Sequence, residues 1–314
     1  MEFFGLLGNE ELKSRLSVSF RTGKYSHCYL ISGPEGSGKK TLARAMAQAM
    51  QCEESHAPCG SCNVCRKIAA GIHPDVITVD DPEKKTVSVD LIRQLQADAF
   101  VHPNEGKKKI YLIPRAQDMT ENAQNALLKL IEEPPSYAVF FLLTTNAGKL
   151  LSTVRSRSVE LRMEPVSFAQ AQLWLQEKRS GDSMEALQSA HLRCGGFLGQ
   201  VLTYLSGEIK TVQTTQFAEA FAARDPYAMT LVLSSMEKMP RDQLLQCFSQ
   251  WKQLLTQALS VRAGLPGGEE AAKLGRCRTA ADLAQAAQLI QKAMEHCAAN
   301  IGAGHVCGWL AANL

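Results

Sequence analysis

The run Gly33-Pro34-Glu35-Gly36-Ser37-Gly38-Lys39 constrains this chain more than any other segment. It has the spacing G-x-x-x-x-G-K, follows the apolar residues Cys28-Tyr29-Leu30-Ile31 and opens a helix-prone stretch from Thr41 to Met50. Strand, glycine loop and helix in that order form a phosphate loop. Glycines let backbone N–H groups curl round a phosphate, the helix N-terminus adds its dipole, and the lysine reaches the distal phosphates. Gly33, Gly36, Gly38 and Lys39 are therefore expected to cradle a nucleotide, ATP or ADP. The alternative is a glycine-rich turn that binds nothing.

The groups that hydrolysis needs are missing. Position 40, where the motif wants Ser or Thr to hold Mg²⁺, is Lys40. Thr41 comes one residue late, and one residue turns a helix by roughly 100°, so its hydroxyl does not simply take over that ligand place. Lys40 is expected to repel Mg²⁺ and to sit against phosphate as a substitute cation. A second acidic site should follow the strand Lys109-Ile110-Tyr111-Leu112-Ile113, where phosphoryl transfer uses an Asp to hold the metal. The residues there are Pro114 and Arg115, and Asp118 stands too far along the chain to replace the acid. Nucleotide is expected to bind without being hydrolysed.

Four of the ten cysteines, Cys52, Cys59, Cys62 and Cys65, lie in one short segment between the loop's helix and the next strand. Their spacing, C-x₆-C-x₂-C-x₂-C, can close a tetrahedral shell of thiolates, the arrangement of structural Zn²⁺. A zinc knuckle projecting from the nucleotide domain is expected. An iron–sulfur cluster competes, but no Cys-Pro follows Cys65 to complete the ferredoxin run. Unligated thiols and His56 as a substitute ligand remain open. The other cysteines, Cys194, Cys247 and Cys297 among them, sit in apolar or helical contexts and are expected to be reduced.

With 314 residues, 45% of them hydrophobic, the chain is long enough for two or three domains. No apolar run approaches the roughly 20 residues of a membrane span. Met1 to Leu12 has acidic residues and no basic leader, so a cytoplasmic location is expected. A formal charge of +3 gives no large basic field for nucleic acid. Lys107-Lys108-Lys109 is the one tight basic run, expected to be the solvated start of a strand.

Strand-like runs at 28–31, 75–79, 109–113 and 139–143 alternate with helical stretches, which predicts a parallel sheet with crossover helices. A helix from Thr120 carries Ala123, Ala126, Leu127, Leu130 and Ile131 on one face, and Pro134-Pro135 stops it. Beyond about Arg162 the pattern turns helical, with Leu244, Leu245, Phe248, Trp251, Leu254 and Leu255 at helical spacing. Breaks fall at Gly195-Gly196-Phe197-Leu198-Gly199 and at Gly264-Leu265-Pro266-Gly267-Gly268. Trp251 and Trp309 are expected in a helix-packing core rather than on a base-stacking platform.

Several of these segments together resemble the clamp-loader family of AAA+ proteins, specifically its delta-prime branch in bacterial DNA polymerase III. They are Phe4-Gly5-Leu6-Leu7-Gly8, Ser26-His27-Cys28-Tyr29-Leu30, the cysteine knuckle followed by His73-Pro74-Asp75, and Ala123 to Pro135 (AQNALLKLIEEPP). Phe140 to Asn146 is similar to the sensor 1 strand, with Thr145 at the sensor position, and Ser156-Arg157-Ser158 to the Ser-Arg-Cys motif. The resemblance implies an α/β P-loop AAA+ domain over 1–163 with the knuckle at about 52–65, a small helical lid over 164–208, and an all-α collar over 209–314.

It further implies that Arg157 enters a neighbouring subunit's ATP site as an arginine finger, neutralising charge on the transferred phosphoryl group. A surface arginine in a salt bridge is the alternative. Gly199 stands where motor subunits carry the sensor 2 arginine. With Lys40 and Pro114-Arg115, three catalytic elements depart from the motor pattern. The implied role is a non-hydrolysing ring subunit, partnered by gamma/tau and delta subunits and, through the complex, by the sliding clamp and primed DNA. An active gamma/tau-type ATPase and a zinc-containing nucleic-acid module outside replication are the competing readings.

Overall fold

The computed structural model describes residues 5–81, 83–206, 211–265, 268–299 and 301–314. Phe4, Pro266 and Gly267, and the expected boundary between 208 and 209, lie outside them. The chain divides into two compact units, residues 1–171 with 197–200, and residues 172–196 with 201–314.

In the first unit, strands β1 (Cys28–Ser32), β2 (Val76–Thr78), β3 (Lys109–Ile113), β4 (Ala138–Thr144) and β5 (Val159–Arg162) form one sheet in the order β2-β3-β4-β1-β5. Every pairing is parallel, with Cys28 opposite Phe140 and Tyr29 opposite both Phe141 and Val159. A parallel sheet covered on both faces needs apolar residues at successive positions, and β1, β3 and β4 are buried throughout.

Side chains alternate between the faces. Tyr29, Ile31, Ile110, Leu112, Val139, Phe141 and Leu143 pack on one side with α1 (Glu10–Arg21), α2 (Lys39–Gln51) and α3 (Asn63–Ala70). Cys28, Leu30, Tyr111, Ile113, Phe140 and Leu142 pack on the other with α4 (Val89–Ala99), α5 (Glu121–Glu132) and α6 (Ser152–Ser156). Truncating a fully buried ring such as Phe141 to alanine would cost about 3–5 kcal/mol.

Helix α5 starts at the predicted place, because the Thr120 hydroxyl accepts a hydrogen bond from the Ala123 N–H at 3.2 Å. It buries Ala123, Leu127, Leu130 and Ile131, with Gln124 beside them, while Ala126 is half-buried. β5 is absent from the sequence reading. It is a four-residue edge strand whose Val159, Glu160 and Arg162 are exposed, so it carries almost no hydrophobic signal.

The second unit is helical among the described residues. Phe217, Trp251 and Phe248 meet at its centre, with Trp251 stacked on Phe217 at 4.2 Å. Of the predicted row, Leu244, Phe248, Trp251, Leu254 and Leu255 are buried and Leu245 is half-buried, all on one 22-residue helix, Arg241–Arg262. Trp309 is half-buried against the same core.

The expectation for Lys107-Lys108-Lys109 needs correction. Lys109 is buried, and its ammonium donates to the Asp98 carboxylate and to the Asp98 carbonyl, each at 2.9 Å. Lys108 donates to the Ser136 carbonyl and lies over the Tyr25 ring, and Lys107 pairs with Glu53. Asp98 also accepts from the Tyr111 hydroxyl at 2.8 Å, so Lys109 anchors β3, while Lys107 stays exposed as expected.

Candidate functional site

In a parallel sheet all strand C-termini lie at one edge, which is where open α/β folds bind ligands. The loops after β1, β3 and β4 meet there. The Gly33 N–H donates to the Thr144 carbonyl at 3.1 Å, and the Thr145 N–H donates to the Gln117 side chain at 3.2 Å. The structure thus brings together the glycine loop, the segment holding Pro114 and Arg115, and the exposed Thr145.

The loop leads into α2, whose first residues are Lys39, Lys40 and Thr41. Gly36 and Gly38 take φ of 68° and 90°, a region that L side chains rarely adopt. The Lys39 ammonium folds back onto the loop and donates to the carbonyls of Gly33 and Pro34, both at 2.6 Å. Burial lowers its pKa to about 8, against the opposing pull of Glu35. The Ser37 hydroxyl is buried within the loop and has no hydrogen-bond partner. Lys40 is exposed, and the Thr41 methyl lies near Gly5.

Arg115, at the position where phosphoryl transfer would use an acid, closes the loop that follows β2. Its guanidinium donates to Asp80 at 2.6 and 2.9 Å and to the carbonyls of Asp81 and Lys84. The hydrogen bonds to Asp80 are the leading cause that raises its pKa. A cation tied into this network is a structural clamp, the opposite of a metal-binding carboxylate.

At the far end of α2 the four thiols converge. The ligand atoms of Cys52, Cys59, Cys62 and Cys65 all lie within 4.8 Å of one another. The Cys52 and Cys62 sulfurs stand 4.0 Å apart, and those of Cys59 and Cys65 3.9 Å. Sulfurs bound at 2.3 Å to one tetrahedral ion stand about 3.8 Å apart, so the set fits a single Zn²⁺ and leaves no space between the sulfurs for a multi-iron core. His56 is exposed and does not belong to the group.

Cys62 caps α3, its sulfur accepting from the Cys65 N–H at 3.4 Å, and Cys59 accepts from the Cys62 N–H at 3.2 Å. That amide is the main reason the Cys59 thiol is lowered to about 6, while burial pushes Cys65 up. Cys28, Cys194, Cys247, Cys297 and Cys307 are buried and outside any disulfide, and Cys277 is exposed.

Sequence reasoning missed the group that fixes this end of the domain. Asp75 is fully buried and accepts the N–H groups of Asn104, Glu105 and Gly106 at 2.6–2.8 Å. Burial alone would raise its carboxyl pKa, but these three donors outweigh it and hold it low. Gln51, the last residue of α2, exchanges hydrogen bonds with Lys108 at 2.6 and 3.1 Å. No local signal marks it, because the three amides it accepts come about thirty residues later in the chain.

Arg157 lies elsewhere. It follows α6 and precedes β5, so it stands at the N-terminal edge of the sheet, about one strand length, roughly 15 Å, from the edge that holds its own glycine loop. It is exposed, pairs with Glu132 at 2.8 Å and donates to the Thr153 carbonyl at 3.1 Å.

A family model described as DNA polymerase III, delta subunit, matches residues 8–167. The delta' subunit of Pseudomonas aeruginosa is 32% identical over 236 residues, covering 73% of this chain and 71% of its own. The DNA polymerase III gamma subunit of Buchnera aphidicola is 34% identical over 167 residues, 52% of this chain and 46% of that one. The tau subunit of Escherichia coli is 30% identical over 246 residues, 75% of this chain and 38% of that one.

The chain therefore spans less than half the length of these gamma and tau relatives. A gamma subunit-related protein of Thermotoga maritima shares the fold at TM-score 0.54 with 18% identity, covering 95% of this chain and 97% of its own. Given the matched model and the extent of the Pseudomonas similarity, the chain belongs to the clamp-loader family of DNA polymerase III subunits.

Proposed function

We propose that this chain is a delta-prime-type, non-hydrolysing subunit of a DNA polymerase III clamp loader, and that it supplies Arg157 to the ATP site of an adjacent subunit. The observation that carries this reading is the placement of Arg157 at the sheet edge opposite its own phosphate loop, exposed and held by a surface pair with Glu132 and an exposed hydrogen bond to Thr153. An arginine so placed serves a phosphate only on another chain. Lys40 at the Mg²⁺ position and Arg115 clamped to Asp80 support the loss of intrinsic hydrolysis.

In this reading gamma/tau and delta subunits are the ring partners, and the sliding clamp and primed DNA are engaged through the assembly. Residues 1–163 form the AAA+ domain, 164–208 the lid and 209–314 the collar. Gly33, Gly36, Gly38, Lys39, Lys40, Thr41 and Thr145 surround a nucleotide bound without turnover. Zn²⁺ held by Cys52, Cys59, Cys62 and Cys65 fixes the knuckle and takes no part in chemistry. No helix among the described residues is long and apolar enough to cross a membrane, which accords with a cytoplasmic place.

The test is the ATPase of the reconstituted loader with wild-type chain or Arg157→Ala. The variant is expected to lower turnover by about 10³-fold or more at its neighbour's site, the scale of an arginine finger. Unchanged turnover would sink the trans role. The 34% identity to a gamma subunit favours a second reading, an active gamma/tau-type ATPase. Turnover of Mg²⁺-ATP by the purified chain alone would establish that reading in place of the first.

A further inference from the structure

The segment 197–200, part of the same compact unit as the phosphate loop, lies directly against it. The Gly199 N–H donates to the Gly36 carbonyl at 2.9 Å, and the Gln200 side-chain amide donates to the Glu35 carbonyl at 2.8 Å. The approach is so close that only glycine fits on either side. A Cβ on Gly199 would lie 2.5 Å from the Gly36 Cα, and one on Gly36 would lie 2.4 Å from the Gln200 N. Both obstacles are backbone, which cannot swing aside as a side chain does.

We propose that Gly36 and Gly199 form a backbone latch that holds the phosphate loop shut, so that phosphate enters only when residues 197–200 withdraw. Gly199 is then more than a missing arginine: its lack of a side chain is what allows the loop to be covered by main chain. Inside the closed loop one group is unsatisfied and another is engaged within the loop itself. The Ser37 hydroxyl is buried without a partner, and the Lys39 ammonium is turned onto two carbonyls of its own loop. A phosphate would offer acceptors to both groups, and this gain opposes the loss of the two latch hydrogen bonds.

The inference rests on the reading that the loop retains phosphate affinity, and the experiment separates the two. Binding of fluorescent mant-ADP is measured on the full chain and on Gly199→Ala, Gln200→Ala and Lys39→Ala, each checked by circular dichroism and thermal midpoint. A competent state populated to about one tenth weakens apparent affinity about tenfold, so Gly199→Ala is expected to tighten binding by about that factor. Gln200→Ala, which removes one hydrogen bond, is expected to tighten it roughly threefold. Lys39→Ala should abolish binding.

Hydrogen exchange supplies a second readout that does not depend on the variants folding. ADP should speed exchange at the Gly199 amide, released from Gly36, while slowing it at Gly36 and Gly38. Equal affinity of folded wild type and both latch variants, or slower exchange at Gly199 with ADP, would overturn the latch alone. Binding by none of the folded proteins would overturn the cradle reading and the latch with it.

Discussion

The two ends of helix α2 are held by opposite means. At its N-terminus the glycine loop is closed by main chain from residues 197–200, through contacts that a single methyl group would break. At its C-terminus the helix runs into the cysteine set, and Gln51 and Asp75 bind the 104–108 loop through five partly buried hydrogen bonds. Hydrogen bonds to a buried carboxylate are costly to lose because each orphaned donor keeps its desolvation penalty. A glycine contact leaves no such orphan deep in the core when it parts. One end is built to stay fixed and the other to be released at small cost.

The largest expected effect comes from breaking the fixed end at the proposed metal site. Cys65→Ser removes a buried thiol of the proposed ligand set, and structural zinc supplies on the order of 10 kcal/mol of folding energy in small metal-dependent domains. The variant should lose its equivalent of zinc by metal analysis, and exchange protection over 52–65 should collapse. If metal content and protection stay intact, the four thiols are not a ligand set.

Asp75→Ala should come next, with a loss of about 3 kcal/mol in denaturant unfolding from three stranded amides. The carboxyl is depressed in the folded chain, so its stabilisation is present above the unfolded value of about 4 and is lost as pH falls through the lower folded value. Asp75→Asn should flatten that part of the acid-unfolding curve. An unchanged curve would mean that Asp75 is not what makes this end acid-sensitive.

The releasable end should respond to alkali instead. Lys39 loses its proton at about pH 8 in the closed loop, and a phosphate must meet a charged lysine. Affinity for ADP should therefore decline as pH rises through about 8, and Lys39→Arg, with a guanidinium charged at any working pH, should shift or remove the decline. With Lys40 in the Mg²⁺ position, adding EDTA should leave that affinity unchanged. A strong Mg²⁺ dependence would refute Lys40 as substitute cation.

The smallest effect is expected at Glu132. Its exposed pair with Arg157 is worth about 0–1 kcal/mol, so Glu132→Ala should barely move the unfolding midpoint. A loss of several kcal/mol would recast Arg157 as structural.

Legibility in the sequence followed locality. The glycine loop, the cysteine spacing, Thr120 as a helix start and four of the five strands could be read because each depends on residues close together in the chain. β5 was not legible because its pairing with β1 is long-range and its side chains are exposed. Lys109 read as solvated because its partner Asp98 lies on a different element, and charge alone does not report burial. Asp75 read as the start of a strand because the three amides that need it come roughly thirty residues later.

The residue types present and absent belong to the sequence by itself: a phosphate loop, a metal-capable thiol set, and no acid or hydroxyl where phosphoryl transfer requires them. Those are matters of chemistry at fixed positions and need no fold to be stated. Tertiary structure decided what the groups face. It set Arg157 at the edge away from its own loop, turned Arg115 into a clamp on Asp80, and laid Gly199 against Gly36. The reason is physical: parallel strands assign loops to one edge or the other, and only three-dimensional packing brings main chain from residue 199 within hydrogen-bonding distance of residue 36.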